Sequence, residues 1–174
     1  MPEPVLRGVR VVIVNNFPGP GMGGGEVLLI SIIRAVLDAG ATVVVLVPPG
    51  SMLGAEVVAL GAEVAHTALS LAATRGAWRA IREAAGGSGC VLVGTGYFTN
   101  LLVRLARRGG ADRVVNLVGV MPGAAGGSWG EIVVRRLADR ATVRRVDAFA
   151  ASANVVSEQL RRWGAPPERI HVIP

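Results

Sequence analysis

Lysine is absent from this 174-residue sequence, so its 18 basic residues are all arginines, set against 12 aspartates and glutamates for a formal charge of +6. That bias excludes little by itself. An arginine fork suits phosphate or membrane surfaces, but a GC-rich genome would give the same excess of Arg, Ala, Gly and Val codons. Cysteine occurs once, at Cys90, which rules out an internal disulfide and a cysteine-rich metal centre and fits a reducing compartment. Histidine occurs twice, at His66 and His171, far apart in the chain, whereas a metal site needs three or four clustered ligands, so no metal is expected. Aromatic residues make up only 4% and are not interleaved with the arginines as a base-stacking platform would be, which argues against nucleic acid as a partner.

Long apolar runs are missing too. The stretch 27–33 is broken by Ser31 and ended by Arg34, short of the roughly 18 residues a membrane-spanning helix needs. The opening MPEPVLRGVR carries an early acid and no apolar core of signal-peptide length, which predicts a cytoplasmic protein. No G-x-S-x-G elbow surrounds a serine, and the acids scatter over predicted helix surfaces instead of pairing. What remains is the profile of a binding scaffold more than of a self-contained catalyst.

What is present is alternation. Continuous β-branched runs at 11–14, 43–47, 91–93 and 114–118 read as strands buried on both faces, with shorter strands at 62–66, 148–151 and 169–173. Helices are predicted over 26–39, 52–60, 76–85, 97–108, 129–145 and 154–163, most of them closed by glycine, with or without a nearby proline. This order predicts an α/β, Rossmann-like doubly wound fold, a mostly parallel sheet of about seven strands with helices on both faces, in one domain over 1–174. The first helix leaves only Ser31, Arg34 and Asp38 as a polar strip, which predicts deep packing. Gly40 is placed to end it in the left-handed region.

The strongest local signal is Val11-Val-Ile-Val-Asn15-Asn16-Phe17-Pro18-Gly19-Pro20-Gly21-Met22-Gly23-Gly24-Gly25-Glu26, a strand, a glycine loop and a helix start. Ligands of open α/β sheets bind outside the carboxyl ends of the strands. Glycines there let backbone N–H groups meet a phosphate at the positive end of the following helix. A tight turn would need fewer glycines, so Gly23, Gly24, Gly25 and Glu26 are predicted to form a phosphate or substrate loop. Gly19, Gly21 and Gly24 also satisfy G-x-G-x-x-G. A dinucleotide fingerprint, however, puts its first glycine at the strand end and an acid about 20 residues on. Here Asn15 to Pro18 intervene, and the second strand runs out through Pro48-Pro-Gly-Ser51 with neither acid nor arginine, so a nicotinamide site fits poorly.

Two more loops follow central strands and face the same crevice: Gly94-Thr95-Gly96-Tyr97-Phe98-Thr99-Asn100 and Gly119-Val-Met121-Pro122-Gly-Ala-Ala-Gly-Gly127. The candidate crevice residues are Asn16, Thr95, Gly96, Tyr97, Asn100 and Met121, with Ser152 and Asn154 from the last strand-to-helix connection. Thr95, Tyr97 and Asn100 would serve equally well as caps or turn residues, and Asn116 within a strand reads as a buried, bonded amide. On the predicted helix 129–145, Trp129, Val133 and Leu137 share a stripe with Arg136, Arg140 and Arg144. A helix resting on anionic lipid has that pattern, which suggests weak peripheral membrane contact. An ordinary packed helix whose arginine stems cover apolar surface has it too.

The segments Arg10-Val-Val-Ile-Val-Asn-Asn-Phe17, Gly23-Gly-Gly-Glu26-Val-Leu-Leu29 and Ala35-Val-Leu-Asp-Ala-Gly40-Ala-Thr-Val43 are similar to the N-terminal half of retaining glycosyltransferases of the family-four type, which have the GT-B fold. Asp147-Ala-Phe-Ala-Ala-Ser152-Ala-Asn154-Val-Val-Ser-Glu-Gln-Leu160, with Gly164-Ala-Pro-Pro-Glu-Arg-Ile-His171-Val-Ile-Pro174, resembles the segment preceding the crossover into that family's second domain. The resemblance implies an acceptor-side domain, inactive alone. A C-terminal donor-binding domain, absent here, would carry most of the nucleotide-sugar site. The acceptor, whether glycan, lipid or small molecule, is left open. The resemblance also implies that Gly23, Gly24 and Gly25 lie beside the donor phosphates, their N–H groups stabilising the departing nucleoside diphosphate, with no cofactor or metal. Family members often carry a histidine after the strand matching 114–118; Gly119-Val-Met121-Pro122 stands there instead, so no catalytic residue is assigned. A free-standing ligand-binding module, one chain of a split enzyme, and half of a sugar-nucleotide epimerase are the alternatives.

Overall fold

The computed structural model describes residues 5–17, 23–70, 72–87, 89–107, 112–119 and 129–173. In chain order the elements are β1 (Arg10–Val14), α1 (Gly24–Asp38), β2 (Thr42–Val47), α2 (Met52–Ala59), β3 (Glu63–His66), α3 (Thr74–Ala85), β4 (Cys90–Gly94), α4 (Tyr97–Ala106), β5 (Arg113–Val118), α5 (Trp129–Thr142), β6 (Ala148–Ala151), α6 (Asn154–Arg162) and β7 (Ile170–Val172), with 3-10 turns at Val143–Arg145 and Pro167–Arg169. All strands pair in parallel, in the order β3-β2-β1-β4-β5-β6-β7. The chain winds outward from β1 to β3, returns through α3, and winds outward again from β4 to β7. The carboxyl ends of β1 and β4 therefore diverge into a crevice at the switch point.

The β-branched runs form strands because both sides of the pleat find apolar cover, and successive residues feed two separate cores. Val12, Val14, Val44, Leu46, Leu92, Val114 and Phe149 pack with Ile81 of α3, Leu102 and Val103 of α4, and Leu160 of α6. Val11, Ile13, Val43, Val45 and Val93 pack with Leu29 and Ile33 of α1 and Leu53 and Val57 of α2. Each such side chain contributes about 1.5–3 kcal/mol relative to its exposed state. The central strands, filled on both sides, thus form a stiff floor for the loops at their ends.

Two expectations need correction. Helix α1 is not deeply packed: Leu29 and Ile33 are buried, but Val27 is 54% and Leu28 42% exposed. A helix lying on a sheet buries one stripe. On the far flank of α1, the described residues place no further helix over the outer part of this face. The predicted helix 129–145 also stops early, at Thr142. The Thr142 hydroxyl donates back to Ala138 O at 2.8 Å and accepts from Arg104 Nη1 at 3.2 Å. Val143 and Val146 then turn into the core ahead of β6. Gly40 does end α1 with φ +90°, and Ala41 N–H reaches back to Val36 O at 3.2 Å.

Candidate functional site

The crevice is assembled from the loop after β1, the N-terminal turns of α1 and α4, and the ends of β5 and β6. Asn15, buried at the end of β1, ties two of these parts together. Its N–H donates to Leu46 O at 3.0 Å, its Nδ2 donates to Thr95 Oγ1 at 3.1 Å, and its Oδ1 accepts from Phe17 N–H at 2.9 Å. The Thr95 hydroxyl passes on to Val14 O at 3.2 Å. Gly96 caps α4 in extended conformation. Thr99 Oγ1 accepts from the N–H groups of both Thr95 (3.2 Å) and Gly96 (2.9 Å). Asn16 Oδ1 lies 3.4 Å from where a Gly96 Cβ would stand, so a larger residue at Gly96 would press on the loop after β1.

The N-terminus of α1 differs from that of α4. Gly23 is the N-cap, and its N–H donates to Glu26 Oε2 at 3.0 Å, so a carboxylate closes this turn. Glu26 is buried there, where the positive end of the helix favours its charge. Gly24 and Gly25 are the first two helical residues. Their N–H groups have no intrahelical acceptor, and no acceptor meets them among the described residues. Neither has a positive φ, and among the described residues a Cβ built on either meets nothing within 4 Å. The described residues thus give no steric reason for glycine at these positions.

Beside this turn lies a small open groove of about 80 Å³, lined by Gly25, Leu28, Thr95, Leu117, Gly119 and Ser152 among others. Ser152 holds its rim: its N–H donates to Val118 O and its hydroxyl to Gly119 O, each at 3.1 Å. The structure therefore brings together Gly23, Gly24, Gly25, Thr95, Gly96 and Ser152. Asn100 lies beneath, buried, with Nδ2 donating to Leu117 O at 3.2 Å. Tyr97 is half-buried in the first turn of α4, and Asn154 is exposed at the start of α6. Met121, Gly19 and Gly21 fall outside the described residues.

Of what supports this floor, sequence reasoning found Asn116, a buried and bonded amide as expected, and missed its charged partners. Arg104 of α4 is buried and donates through Nη1 to Asp139 of α5 at 2.5 Å. With the Asn116 amide turned so that its oxygen faces the guanidinium, that oxygen accepts from Arg104 Nη2 (2.5 Å) and Nε (2.8 Å), and its nitrogen donates to Asn100 Oδ1 (3.3 Å). Burial pushes the Asp139 carboxyl above the ordinary aspartate range, while the Arg104 charge and hydrogen bond pull it back. The backbone at Gly94 is equally constrained. A Cβ there would collide with the Asn100 side chain and lie 2.6 Å from its Cα, so glycine is required for α4 to approach β4. Asn15 stands directly before the residue named from sequence, and Arg104 sits in an apolar helix as any exposed arginine would.

Among the described residues, no group of three or more His, Cys, Asp or Glu could hold a metal ion. His66 and His171 sit on β3 and β7, opposite edges of the sheet. No helix among these residues is long and apolar enough to cross a membrane.

The fold has relatives of known structure. Anabaena HepE, solved with UDP-glucose, superposes with a TM-score of 0.68 at 12% identity over 94% of this chain and 43% of that one. A glycosyltransferase from Rickettsia africae ESF-5 gives 0.63 at 12% identity over 95% and 42%. A Listeria monocytogenes protein provisionally assigned as a UDP-N-acetylglucosamine 2-epimerase gives 0.59 at 14% identity over 93% and 43%. The chain thus spans less than half the length of each of these proteins. No curated protein matches it in sequence. The family model of the glycosyl transferase 4-like domain matches residues 23–174, from the N-cap of α1 to the last residue, and the chain belongs to that family.

Proposed function

We propose that this chain is the acceptor-side domain of a retaining glycosyltransferase that uses a nucleotide-sugar donor. A second Rossmann-like domain would supply most of the donor site, and residues 1–174 alone would be inactive. The observation that carries this reading is the first turn of α1. Gly25 lines the groove, the Gly24 and Gly25 N–H groups meet no acceptor among the described residues, and no described residue near either demands glycine. Two unfilled N–H groups at a helix N-terminus suit the phosphates of a departing nucleoside diphosphate, whose growing charge they would stabilise in the transition state. Thr95, Gly96 and Ser152 lie on the acceptor side, with Asn16 and Tyr97 nearby and Asn100 below. The reading needs no metal or other cofactor, and it places the protein in the cytoplasm. It extends to weak contact with anionic lipid through α5, where Leu137 is 63% exposed and Arg140 is also exposed.

The test is made on the full-length protein with a panel of nucleotide sugars. Gly24→Val should abolish sugar transfer while leaving the circular dichroism spectrum and unfolding midpoint nearly unchanged, because no described residue stands within 4 Å of the added Cβ. Undiminished turnover would remove this turn from the mechanism. Conversion of the donor sugar without any acceptor would favour an epimerase instead, and transfer by residues 1–174 alone would refute the division of labour.

A further inference from the structure

At the opposite end of the sheet from the crevice, where β6 and β7 begin, the last turns of α5 and α6 enclose a cleft of about 420 Å³ lined by Arg140, Arg161, Arg162, Trp163 and Gly164. Arginines in a last helical turn ordinarily complement the helix dipole. In α6 the closing carbonyls are already met by backbone N–H groups: Gly164 N–H donates to Arg161 O and Ala165 N–H to Leu160 O. Some arginines elsewhere in the domain find acids: Arg10 pairs with Glu63, Arg79 with Glu83, Arg104 with Asp139, and Arg107 and Arg113 with Asp147, whereas others such as the exposed Arg34 and Arg75 find none among the described residues. Among the described residues, the guanidinium groups of Arg140, Arg161 and Arg162 have neither an acidic partner nor a hydrogen-bond acceptor.

Three unpaired guanidinium groups around one cleft repel one another until an anion stands between them. Planar forks contributed to one cleft by two helices suit a group with several acceptor oxygens and more than one negative charge. We propose that this cleft binds a multivalent phosphate group, either free in solution or on a lipid headgroup. The site is independent of the crevice and does not rest on the transferase reading.

Titration calorimetry at low ionic strength with inorganic pyrophosphate, and co-sedimentation with phosphatidylcholine vesicles with and without phosphatidic acid, whose phosphomonoester can carry a second negative charge, test it and separate the two sources. Both use the full-length protein. The variant R161Q/R162Q should weaken binding by at least about tenfold, as expected for loss of charge-assisted hydrogen bonds. The variant R34Q/R75Q removes two exposed arginines from α1 and α3 and should leave binding nearly unchanged. That pattern with pyrophosphate assigns a free phosphate; the same pattern only with phosphatidic acid vesicles assigns a headgroup. Equal weakening by both variants would reduce the effect to net charge and overturn the proposal. Absence of binding to either probe, or binding indifferent to R161Q/R162Q, would overturn it as well.

Discussion

The two faces of the sheet are built from the same residue types and finished differently. On one face α3, α4 and α6 cover the strands, and Val12, Val14, Ile81, Leu102, Val103 and Phe149 are fully enclosed. On the other, among the described residues, only α1 and α2 contribute buried side chains. Leu28 and Ile173 stay about 40% exposed at the groove. Hydrophobicity alone does not decide which of these aliphatic residues is buried; coverage does. The closed face also carries the charged network of Arg104, Asp139 and Asn116. The domain thus has a rigid side that fixes the crevice floor and an open side where ligand or further chain could settle.

The closed side should break hardest. Asp139→Ala leaves Arg104 buried without its counter-charge, which costs about 3–5 kcal/mol when a partner is removed from a buried pair, read as a lower urea midpoint. The same carboxylate gives a pH signature. Because burial raises its pKa, the folded state holds the proton more tightly than the unfolded chain does. Its contribution to stability is complete below the ordinary aspartate pKa and lost as pH rises through that range to the raised value. Asp139→Asn should flatten that slope; an unchanged slope would place its origin elsewhere.

Neighbours on α1 sharpen the contrast. Leu29→Ala, on the buried stripe, should cost about 2–5 kcal/mol. Leu28→Ala, one residue away, should stay within about 0.5 kcal/mol. Similar losses at the two positions would mean that the groove side of α1 is covered after all.

Much of this fold is legible in the sequence because parallel strands buried on both faces leave a distinctive mark, uninterrupted β-branched runs separated by helical periods. The strands at 43–47 and 114–118 declare themselves in this way. Burial of α1 was not legible, since periodicity shows which residues are apolar and not whether another element covers them. The early end of α5 depends on Thr142 meeting Arg104, a contact between residues 38 apart. In the site, the glycines of α1 and the Gly94-Thr95-Gly96 turn stood out as loop chemistry after a strand. Asn15, Arg104 and Asp139 did not, because a tertiary hydrogen bond leaves no local pattern.

Two glycines give a smaller version of the same contrast. Gly94→Ala forces a Cβ against the Asn100 backbone and should cost about 1–3 kcal/mol, the usual penalty for overpacking. Gly24→Ala meets no described residue within 4 Å in a helical first turn, and the lower backbone entropy of alanine when unfolded should stabilise the chain by about 0.4–1 kcal/mol. Thermal unfolding of the pair should therefore shift in opposite directions. A destabilised Gly24→Ala would show that this turn is crowded within the fold itself.

The smallest expected effect lies at the cap of α1. Glu26→Gln keeps an oxygen to accept from Gly23 N–H but removes the charge that complements the helix dipole, so stability should fall by only about 0.3–1 kcal/mol. Phosphate binding should move the other way. A buried carboxylate in the same turn as the Gly24 and Gly25 N–H groups repels any anion they would hold, so in the full-length protein the uncharged variant should bind a nucleoside diphosphate more tightly, and more so at low salt. Opposite signs for stability and affinity would place the phosphate at this turn. Affinity that falls along with stability would mean that the cap serves the helix alone and that the diphosphate is held elsewhere.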